Sequence, residues 1–294
     1  MARDTVCAFI GVPFDGAATL GWPGARYAPA EVRRHLDWMR MRVQGGEIYW
    51  LDEDRIVPFA PDQLADAGDA PVVPHDLMAT LEAVRAKTRA ETAGGRIPLV
   101  VGGDDSILFP AVAGFHDAVP GSVAIVHFDA HLDLLDQSPA QGRYSQSSGM
   151  RRALELPRVA PRHSVQVGTR SFNFPSSKRF LDAVGLTELP AKAVLRHGSA
   201  WTLERIRAAV AGADHLFVSV DIDVLDPAQA PGVGWHEPGG LTSRELIDLL
   251  VELAPAAGGF ALNEVNPMTD HRSQTGILAA NLVFQFAVAA AGRS

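Results

Sequence analysis

SVAIVHFDAHLDLLD, residues 122–136, is the stretch that decides the fold. It opens with four consecutive apolar residues, 123–126, which is typical of a strand buried on both faces of a parallel sheet. Asp129, His131 and Asp133 follow at alternate positions, so an extended chain would project all three from one face. Two carboxylates and an imidazole at the end of a buried strand are costly without a counter-ion. The stretch therefore predicts a divalent metal with oxygen and imidazole ligands, such as Mn, Fe or Zn.

Two further apolar runs end in acidic residues in the same way. Residues 216–220 lead into Asp221 and Asp223, and residues 97–101 lead into a Gly-Gly-Asp-Asp-Ser string that contains Asp105. A single acid at a strand end is adequately explained as a solvated residue or a helix N-cap. Three acidic strand ends are not, because polar residues are rare on the buried faces of several strands. Since parallel strands place their carboxyl ends at one edge, the acids are expected to meet there.

Composition limits the class of protein. Hydrophobic residues make up 47% of the 294 and charged residues 20%, which is typical of a globular chain with a sizeable core. A net charge of −8 without a basic run argues against a nucleic-acid partner. No signal-peptide pattern and no 18-residue apolar run stand out, so no membrane partner is expected. Cys7 is the only cysteine, which excludes an intrachain disulfide and favours a cytoplasmic location.

Predicted strands alternate with predicted helices along the chain. This alternation predicts an α/β fold with a mainly parallel sheet covered on both faces, and the absence of a linker predicts a single domain over residues 1–294. The glycine-rich loop at 21–26 is expected at the rim of the site. Residues 44–76 are the least regular part because four prolines interrupt them. The last helix, 275–290, is so apolar that we expect it to be buried in the fold or at a subunit contact.

Local signals predict several element ends. Thr242 followed by Glu245 is a capping box for a helix over 243–254. Residues 193–195 are expected to form a short strand, and Thr202 is expected to be the N-cap of the next helix.

Taken together, these strings resemble the ureohydrolase family, which comprises arginases, agmatinases, guanidino-acid hydrolases and formimidoylglutamases. The resemblance rests on DAHLD, SVDIDVLDPAQAPG and EPGGLT in that order, and extends from GVPFDG to NEVNP. It is closest to the agmatinase-like branch. The resemblance implies a three-layer α/β/α, arginase-like fold, a centre of two Mn²⁺ ions, and hydrolysis of a C–N bond at a guanidino or formimidoyl carbon. It also implies a homotrimer or homohexamer.

The resemblance further implies a function for individual residues. The implied metal ligands are Asp129 and Asp221, which would bridge both ions, Asp133 on the first ion, and His131 and Asp223 on the second. Glu264 matches the carboxylate that grips the guanidinium of the substrate. Two ions that share one water lower its pKa enough to give hydroxide near neutral pH, and hydroxide attack on the guanidino carbon would release urea.

Asp105 departs from the family pattern, which has histidine at this position as a ligand of the first metal. Asp105 is expected to replace it as a ligand, although five carboxylates then leave one net negative charge around two divalent ions. A site that holds only one ion is the alternative. His127 shares the alternating face of Asp129 but lies deeper along the strand, so we expect it to be a hydrogen-bonded core residue or to support a metal ligand, and direct ligation is the alternative.

Two loops also depart from the pattern. The family places a proton-shuttling histidine in the loop that here reads 145–149, and Gln146 cannot act as a general acid. Trp235 and His236 stand where Thr-Pro is usual. We expect Ser145, Gln146 and Trp235 to line the substrate pocket. His236 is a catalytic candidate that could supply the missing shuttle, and a surface loop histidine is the alternative.

Three hypotheses remain for the function. The first is a guanidino hydrolase of the agmatinase type. The second is a formimidoylglutamase-type enzyme that releases formamide, for which Arg26, Arg143 or Arg170 would have to bind the carboxylates of the substrate. The third is a catalytically silent binding or assembly subunit, since two expected histidines are missing.

Overall fold

Parallel strands form the centre of the structure, a computed structural model that describes residues 6–292. The strands are β1 (Cys7–Gly11), β2 (Glu47–Trp50), β3 (Arg55–Pro58), β4 (Leu64–Asp69), β5 (Ile97–Val101), β6 (Val123–Phe128), β7 (Val165–Val167), β8 (Thr187–Leu189), β9 (His215–Asp221) and β10 (Ala257–Asn263). All except β2 and β3 belong to one eight-stranded sheet in the order β4-β1-β5-β10-β9-β6-β7-β8, and every pairing in it is parallel.

Helices cover both faces of this sheet. They are α1 (Ala28–Arg40), α2 (Leu77–Ala93), α3 (Leu108–Ala118), α4 (Gly149–Leu154), α5 (Pro175–Val184), α6 (Ala191–Val210), α7 (Ser243–Leu253) and α8 (Gln274–Ala291). One face packs against α1, α6, α7 and α8, and the other against α2 to α5. Alternate residues of each strand enter opposite layers, which is why these strands are continuous apolar runs. The predicted three-layer α/β/α fold is confirmed.

Helix α8 is the most apolar helix and is buried, as predicted. In the described part of the chain it alone is long and apolar enough to cross a membrane by length and composition, but 67% of that window is buried inside the fold. It packs against α1 and α7, and Phe286 stacks on Phe260 of the sheet with ring centroids 4.5 Å apart. A helix that is apolar on all sides is stable in water only with such cover.

Helix α7 begins at the predicted capping box. The Thr242 hydroxyl accepts the Glu245 N–H at 3.2 Å, and the Glu245 carboxylate accepts the Thr242 N–H at 2.9 Å. Both bonds satisfy N–H groups that the first turn leaves free.

Two local predictions were wrong. Residues 193–195 lie in α6 and not in a strand, because a short apolar run fits a buried helix as well as a strand. Thr202 is not an N-cap. It lies inside α6 beyond a kink at Gly198, where φ is +81°, and its hydroxyl donates to the Gly198 carbonyl at 3.0 Å.

The irregular segment 44–76 contains more structure than its prolines suggest. Strands β2 and β3 form an antiparallel hairpin, and β4 pairs with β1 at the edge of the sheet. An edge strand has only one partner and mixed burial, so its apolar signal is weak.

Strand order brings the acidic strand ends together. Strands β5, β10, β9 and β6 are consecutive neighbours, although β10 follows the others by dozens of residues in sequence. The register pairs Asn263 with Asp221, and Phe128 with Val220. The segments that follow these four strands therefore start side by side at one edge.

Candidate metal centre and active-site cleft

A cleft of about 430 Å³ opens above the carboxyl edge of the sheet. Its floor carries six polar side chains with carboxylate or imidazole groups: His131, Asp133, Asp221, Asp223, Glu237 and Glu264. Five of these six are carboxylates. The cleft is thus built to receive positive charge.

Two groups of possible metal ligands lie at this edge and share Asp129. In the outer group, His131 Nδ1 is 3.1 Å from Asp223 Oδ2 and 3.5 Å from Asp129 Oδ1. In the inner group, His127 Nε2 is 3.4 Å from Asp129 Oδ2 and 3.7 Å from Asp105 Oδ1. The ligand atoms of each group lie within 4.8 Å of one another.

The side chains that could bind metal are positioned by tight turns that follow the strands, and not by the extended strands themselves. Strand β6 ends at Phe128, and Asp129 Oδ1 then accepts the His131 N–H at 2.6 Å. Asp133 has a φ of +48°, so the alternation expected for an extended chain is wrong beyond the strand. Asp223 enters the centre by a similar turn, in which its N–H donates to Asp221 Oδ1 at 2.9 Å.

Asp105 is held from two sides. Asn263 Nδ2 donates to Asp105 Oδ1 at 2.6 Å, and Glu264 Oε1 accepts the Asp105 N–H at 2.8 Å. The preceding Asp104 does not face the cleft, because it accepts the N–H groups of Ala17 and Ser106, both at 2.9 Å.

The electrostatics show an excess of buried negative charge. Burial and the nearby Asp223 carboxylate raise the pKa of Asp129 to about 6. Burial and neighbouring carboxylates also hold the pKa values of Asp133, Asp221 and Glu264 well above their usual range.

His131 and Asp223 form an ion pair in the centre. Although burial lowers the pKa of His131, Asp223 and Asp129 raise it to about 12. Although burial raises the pKa of Asp223, the His131 imidazolium lowers it to about 2.

The donor set fits divalent cations. Asp105 Oδ2, Asp129 Oδ2 and both ring nitrogens of His127 are buried and lack a hydrogen-bond partner of good geometry. Orphaned buried acceptors of this kind are rare unless an ion or water completes them. Carboxylate oxygens with imidazole nitrogens suit Mn²⁺, Fe²⁺ or Zn²⁺.

The structure brings together most of the residues expected at the site. Trp235 and Gln146 line the cleft, and Gln146 Nε2 donates to the carbonyl of Leu20, just before the glycine-rich loop, at 3.1 Å. Ser145 is buried beside the cleft without lining it, and Ser147 lines it instead. His236 is exposed, lies outside the lining, and has its Nε2 2.8 Å from the Pro231 carbonyl.

Sequence reasoning did not single out several residues of this site. Glu237 Oε1 lies 3.7 Å from His131 Nε2, and the Ser171 hydroxyl donates to Oε2 at 2.5 Å. Glu237 could have been found from the sequence, because it is the first residue of the EPGGLT string. Asn263 also had a signal, since it is a polar residue at the end of a buried apolar run.

Arg170 braces the two loops that form one wall of the cleft. Its Nη2 donates to the carbonyls of Asp223 and Glu237, both at 2.6 Å, and its Nη1 donates to the Val224 carbonyl at 3.1 Å. No short-range pattern in the sequence indicates this contact, because the three carbonyls lie 53 or more residues away.

Comparisons with known proteins identify the family. The arginase family profile matches residues 5–289. Guanidinopropionase from Pseudomonas aeruginosa is 35% identical over 278 residues, covering 94% of this chain and 84% of that protein. Formimidoylglutamase from Halalkalibacterium halodurans is 30% identical over 287 residues, covering 94% and 85%.

Proclavaminate amidinohydrolase from Streptomyces clavuligerus is similar in both sequence and structure. It is 34% identical over 290 residues, covering 95% of this chain and 87% of that protein. Its solved structure superposes with a TM-score of 0.85 at 30% identity, covering 99% of this chain and 94% of that one. The chain therefore belongs to the arginase family of hydrolases, as its resemblance to the ureohydrolases predicted.

Proposed function

We propose that this chain is a metal-dependent hydrolase that cleaves a guanidino C–N bond of a small molecule and releases urea. The observation that carries the proposal is the pair of ligand groups that share Asp129 beneath a cleft bordered by Glu264. Names of relatives such as guanidinopropionase and proclavaminate amidinohydrolase support the same reaction class.

The residues present would hold two cations, and we propose Mn²⁺. The outer ion would be held by His131 and Asp223, the inner ion by Asp105 and Asp133, and both by Asp129 and Asp221. Ions bound there supply an activated water for attack on the planar carbon. A chain that binds a single ion is the alternative, since Asp105 adds a carboxylate to an already acidic centre.

Glu264 is suited to bind and orient the substrate. Its Oε1 accepts the Asp105 N–H at 2.8 Å, while the side chain borders the cleft. Burial raises its pKa well above the usual range, and an adjacent guanidinium would favour the ionised form. A charge-assisted hydrogen bond to the guanidinium would then fix the carbon above the centre.

The formimidoylglutamate alternative lacks a cation to bind the substrate carboxylates. Arg26 is paired with Asp15, and Arg143 binds Asp136 and Glu155, each at 2.9 Å. Arg170 is committed to backbone carbonyls. None of the three lines the cleft. The silent-subunit alternative conflicts with the retained ligand groups, because clustered buried acids without an ion are destabilising.

We also propose a homo-oligomer, a trimer or a hexamer, and a cytoplasmic location without nucleic-acid or membrane partners. The net charge of −8 and the single cysteine support the location and the absence of a nucleic-acid partner. The outer face of the β2–β3 hairpin supports self-association, because Tyr49 and Ile56 are paired across the strands and largely exposed.

The test is urea release from a panel of guanidino compounds by the Mn²⁺-loaded chain, with formamide measured in parallel from formimidoyl compounds. Glu264→Gln keeps an oxygen that can accept the Asp105 N–H but removes the charge, so it should lower kcat/KM at least a hundredfold. Trp38→Ser, an exposed change on α1, is the control. Failure of every guanidino compound to yield urea would overturn the proposal.

A further inference from the structure

We propose that His127 is a ligand of the inner metal ion and supplies the imidazole that Asp105 does not. This inference rests on the metal centre of the proposed function. His127 is fully buried, and neither ring nitrogen has a hydrogen-bond partner of good geometry. A buried imidazole that faces two carboxylates without a proper hydrogen bond needs another partner, and a cation between them satisfies all three groups.

The spacing of the inner group fits coordination. Two ligands that are each about 2.1 Å from one ion lie about 3 to 3.5 Å apart. The distance from His127 Nε2 to Asp129 Oδ2 is 3.4 Å and lies in this range, and the distance to Asp105 Oδ1 is 3.7 Å, slightly above it. The outer group, built on His131, has nearly the same spacings, 3.1 and 3.5 Å. The two groups are thus alike in geometry.

Asp129 presents one oxygen to each imidazole. Its Oδ1 faces His131 and its Oδ2 faces His127. A carboxylate that bridges two ions would have this arrangement, with one imidazole on each ion. A neutral imidazole adds a donor to the inner ion without adding to the negative charge of the five carboxylates.

The residues next to His127 could hold its imidazole in the orientation that a metal ligand needs. On the neighbouring strands its register partners are Gln166 and Ser219, and both are fully buried. Gln166 Oε1 and Ser219 Oγ have no hydrogen-bond partner, so either could accept the proton of the second ring nitrogen. Metal-binding histidines generally donate that proton to a nearby oxygen, which fixes the tautomer.

Asn263 is the positioning residue for Asp105. Its amide donates at 2.6 Å to Asp105 Oδ1, the oxygen 3.7 Å from His127 Nε2. Aspartate is shorter than the histidine that the family pattern has at this position. The side chain of Asp105 therefore reaches the ion only in a suitable rotamer, and the hydrogen bond from Asn263 holds that rotamer. The inner site would then combine a carboxylate from the segment after β5 with an imidazole from β6.

The test is metal content per chain after loading with Mn²⁺ and desalting. Wild type should retain two ions, His127→Asn one, and the double variant Asp105→His/His127→Asn two again. His116→Asn is the matched control, because His116 is also buried and lies 3.1 Å from an Asp carboxylate, and it should retain two ions. In the Co²⁺-loaded chain, X-ray absorption should show fewer imidazole scatterers for His127→Asn.

A different metal content in any of these proteins overturns the inference. Two ions in His127→Asn would exclude ligation, and loss that Asp105→His does not restore would show a structural effect of the substitution. A wild-type chain that binds no ion would overturn the metal centre itself. Absence of urea release from a chain with two ions would instead count only against the proposed reaction.

A separate observation concerns the substrate. Seven apolar side chains line the cleft, against four neutral polar ones, Gln146, Ser147, Asn173 and Ser177. The apolar ones are Leu20, Leu134, Leu135, Phe172, Phe174, Val233 and Trp235. Among the described lining residues there is no Lys or Arg. We infer that the substrate is a guanidine whose other end is apolar and carries no carboxylate, which sets it apart from a guanidino acid. A carboxylate would lose its water there without gaining a cation.

Three aromatic residues of the cleft expose apolar surface that a substrate could bury. Phe172 is 98% exposed, Phe174 59% and Trp235 56%. Trp235 is anchored because its indole N–H donates to Glu237 Oε1 at 3.0 Å, so one ring edge is fixed. Glu237 also adds negative charge, which disfavours an anionic end further.

The experiment compares three guanidines with the same four-carbon chain, ended by a methyl, an ammonium or a carboxylate group. We expect the methyl-ended compound to have at least a tenfold higher kcat/KM than the carboxylate-ended one. The double variant Phe172→Ser/Trp235→Ser should raise KM for the methyl-ended compound and reduce the difference in kcat/KM between the methyl-ended and carboxylate-ended compounds. The control Trp38→Ser should leave this difference unchanged. Preference for the ammonium-ended or the carboxylate-ended compound would overturn the inference and leave the hydrolase proposal intact.

Discussion

Asp15 fixes the glycine-rich loop at 21–26 through one buried carboxylate. Oδ2 accepts the Gly24 N–H at 2.8 Å, and Oδ1 accepts Arg26 Nε at 2.5 Å. Although burial acts to raise the pKa of Asp15, the hydrogen bonds from Arg26 and Gly24 lower it below 3.8. The ionised side chain therefore stabilises the folded state relative to the unfolded chain.

We predict that Asp15→Asn lowers the free energy of unfolding at pH 7 by about 2 kcal/mol, since it weakens a buried, charge-assisted contact. Because the folded pKa lies below the unfolded value, this contribution is present above about pH 4 and is lost as pH falls through the folded pKa. Urea unfolding of both proteins from pH 3 to pH 7 measures it. If the difference in free energy of unfolding between wild type and Asp15→Asn stays constant down to pH 3, the stabilisation does not come from the ionised Asp15 carboxylate.

At the scale of the element, α7 shows how a short signal defines a helix end. Thr242 and Glu245 exchange hydrogen bonds, and four leucines at helical spacing then face the core: Leu246, Leu249, Leu250 and Leu253. The cap fixes where the helix starts, and the apolar face fixes how it packs.

Thr242→Ala removes the side-chain half of this capping box. We expect a loss of about 1 kcal/mol in the free energy of unfolding, because one N–H of the first turn loses its acceptor. Ser243→Ala, one residue later and outside the box, should change it by less than half as much. Denaturant titration of both variants provides the comparison, and equal losses would mean that the box contributes little.

At the scale of the whole molecule, the centre joins segments from four neighbouring strands. Without cations, the acids that follow β5, β6, β9 and β10 oppose one another at low dielectric. Bound ions should therefore stabilise the entire sheet and not one loop alone.

Metal removal should accordingly lower the melting temperature. Ions present at 100 times their Kd contribute about 2.7 kcal/mol, and 1 kcal/mol corresponds to about 2–4 °C in a chain of this size. We expect a chelator to lower the Tm by about 5–10 °C, and Mn²⁺ to restore it, in differential scanning calorimetry. The double variant Asp221→Asn/Asp223→Asn should not respond. A chelator effect of equal size in that variant would place the relevant ion elsewhere.

Self-association is a second property of the whole molecule. One face of the hairpin is buried through Ile48 and Trp50, while Tyr49, Leu51 and Ile56 are 52%, 76% and 66% exposed. If this face is a subunit contact, light scattering after size-exclusion chromatography should give three or six chain masses for wild type and a lower mass for Ile56→Asp. Met78→Asp, which alters an exposed residue on α2, is the control. A monomeric wild type would refute the prediction.

The sequence by itself determined most of the elements of this protein and the type of side chain at its strand ends. Apolar runs predicted β5, β6 and β9, the Thr242–Glu245 pair predicted the start of α7, and the acids at strand ends predicted a cation site. These features are local, because a strand's burial, a helix cap and a charged strand end are each written within a few consecutive residues. Local patterns failed where a short run fits two structures, as at 193–195 in α6.

Only the tertiary structure decided which distant residues meet. It placed β10 between β5 and β9, which brings Asn263 to Asp105, and it aligned Gln166, His127 and Ser219 across three strands. Strand order is set by how whole faces pack and by how crossovers connect them, and no window of sequence contains that information. The physical reason is that side-chain periodicity acts over a few residues. Asp105, in contrast, meets His127 and Asn263, which are 22 and 158 positions away in the sequence.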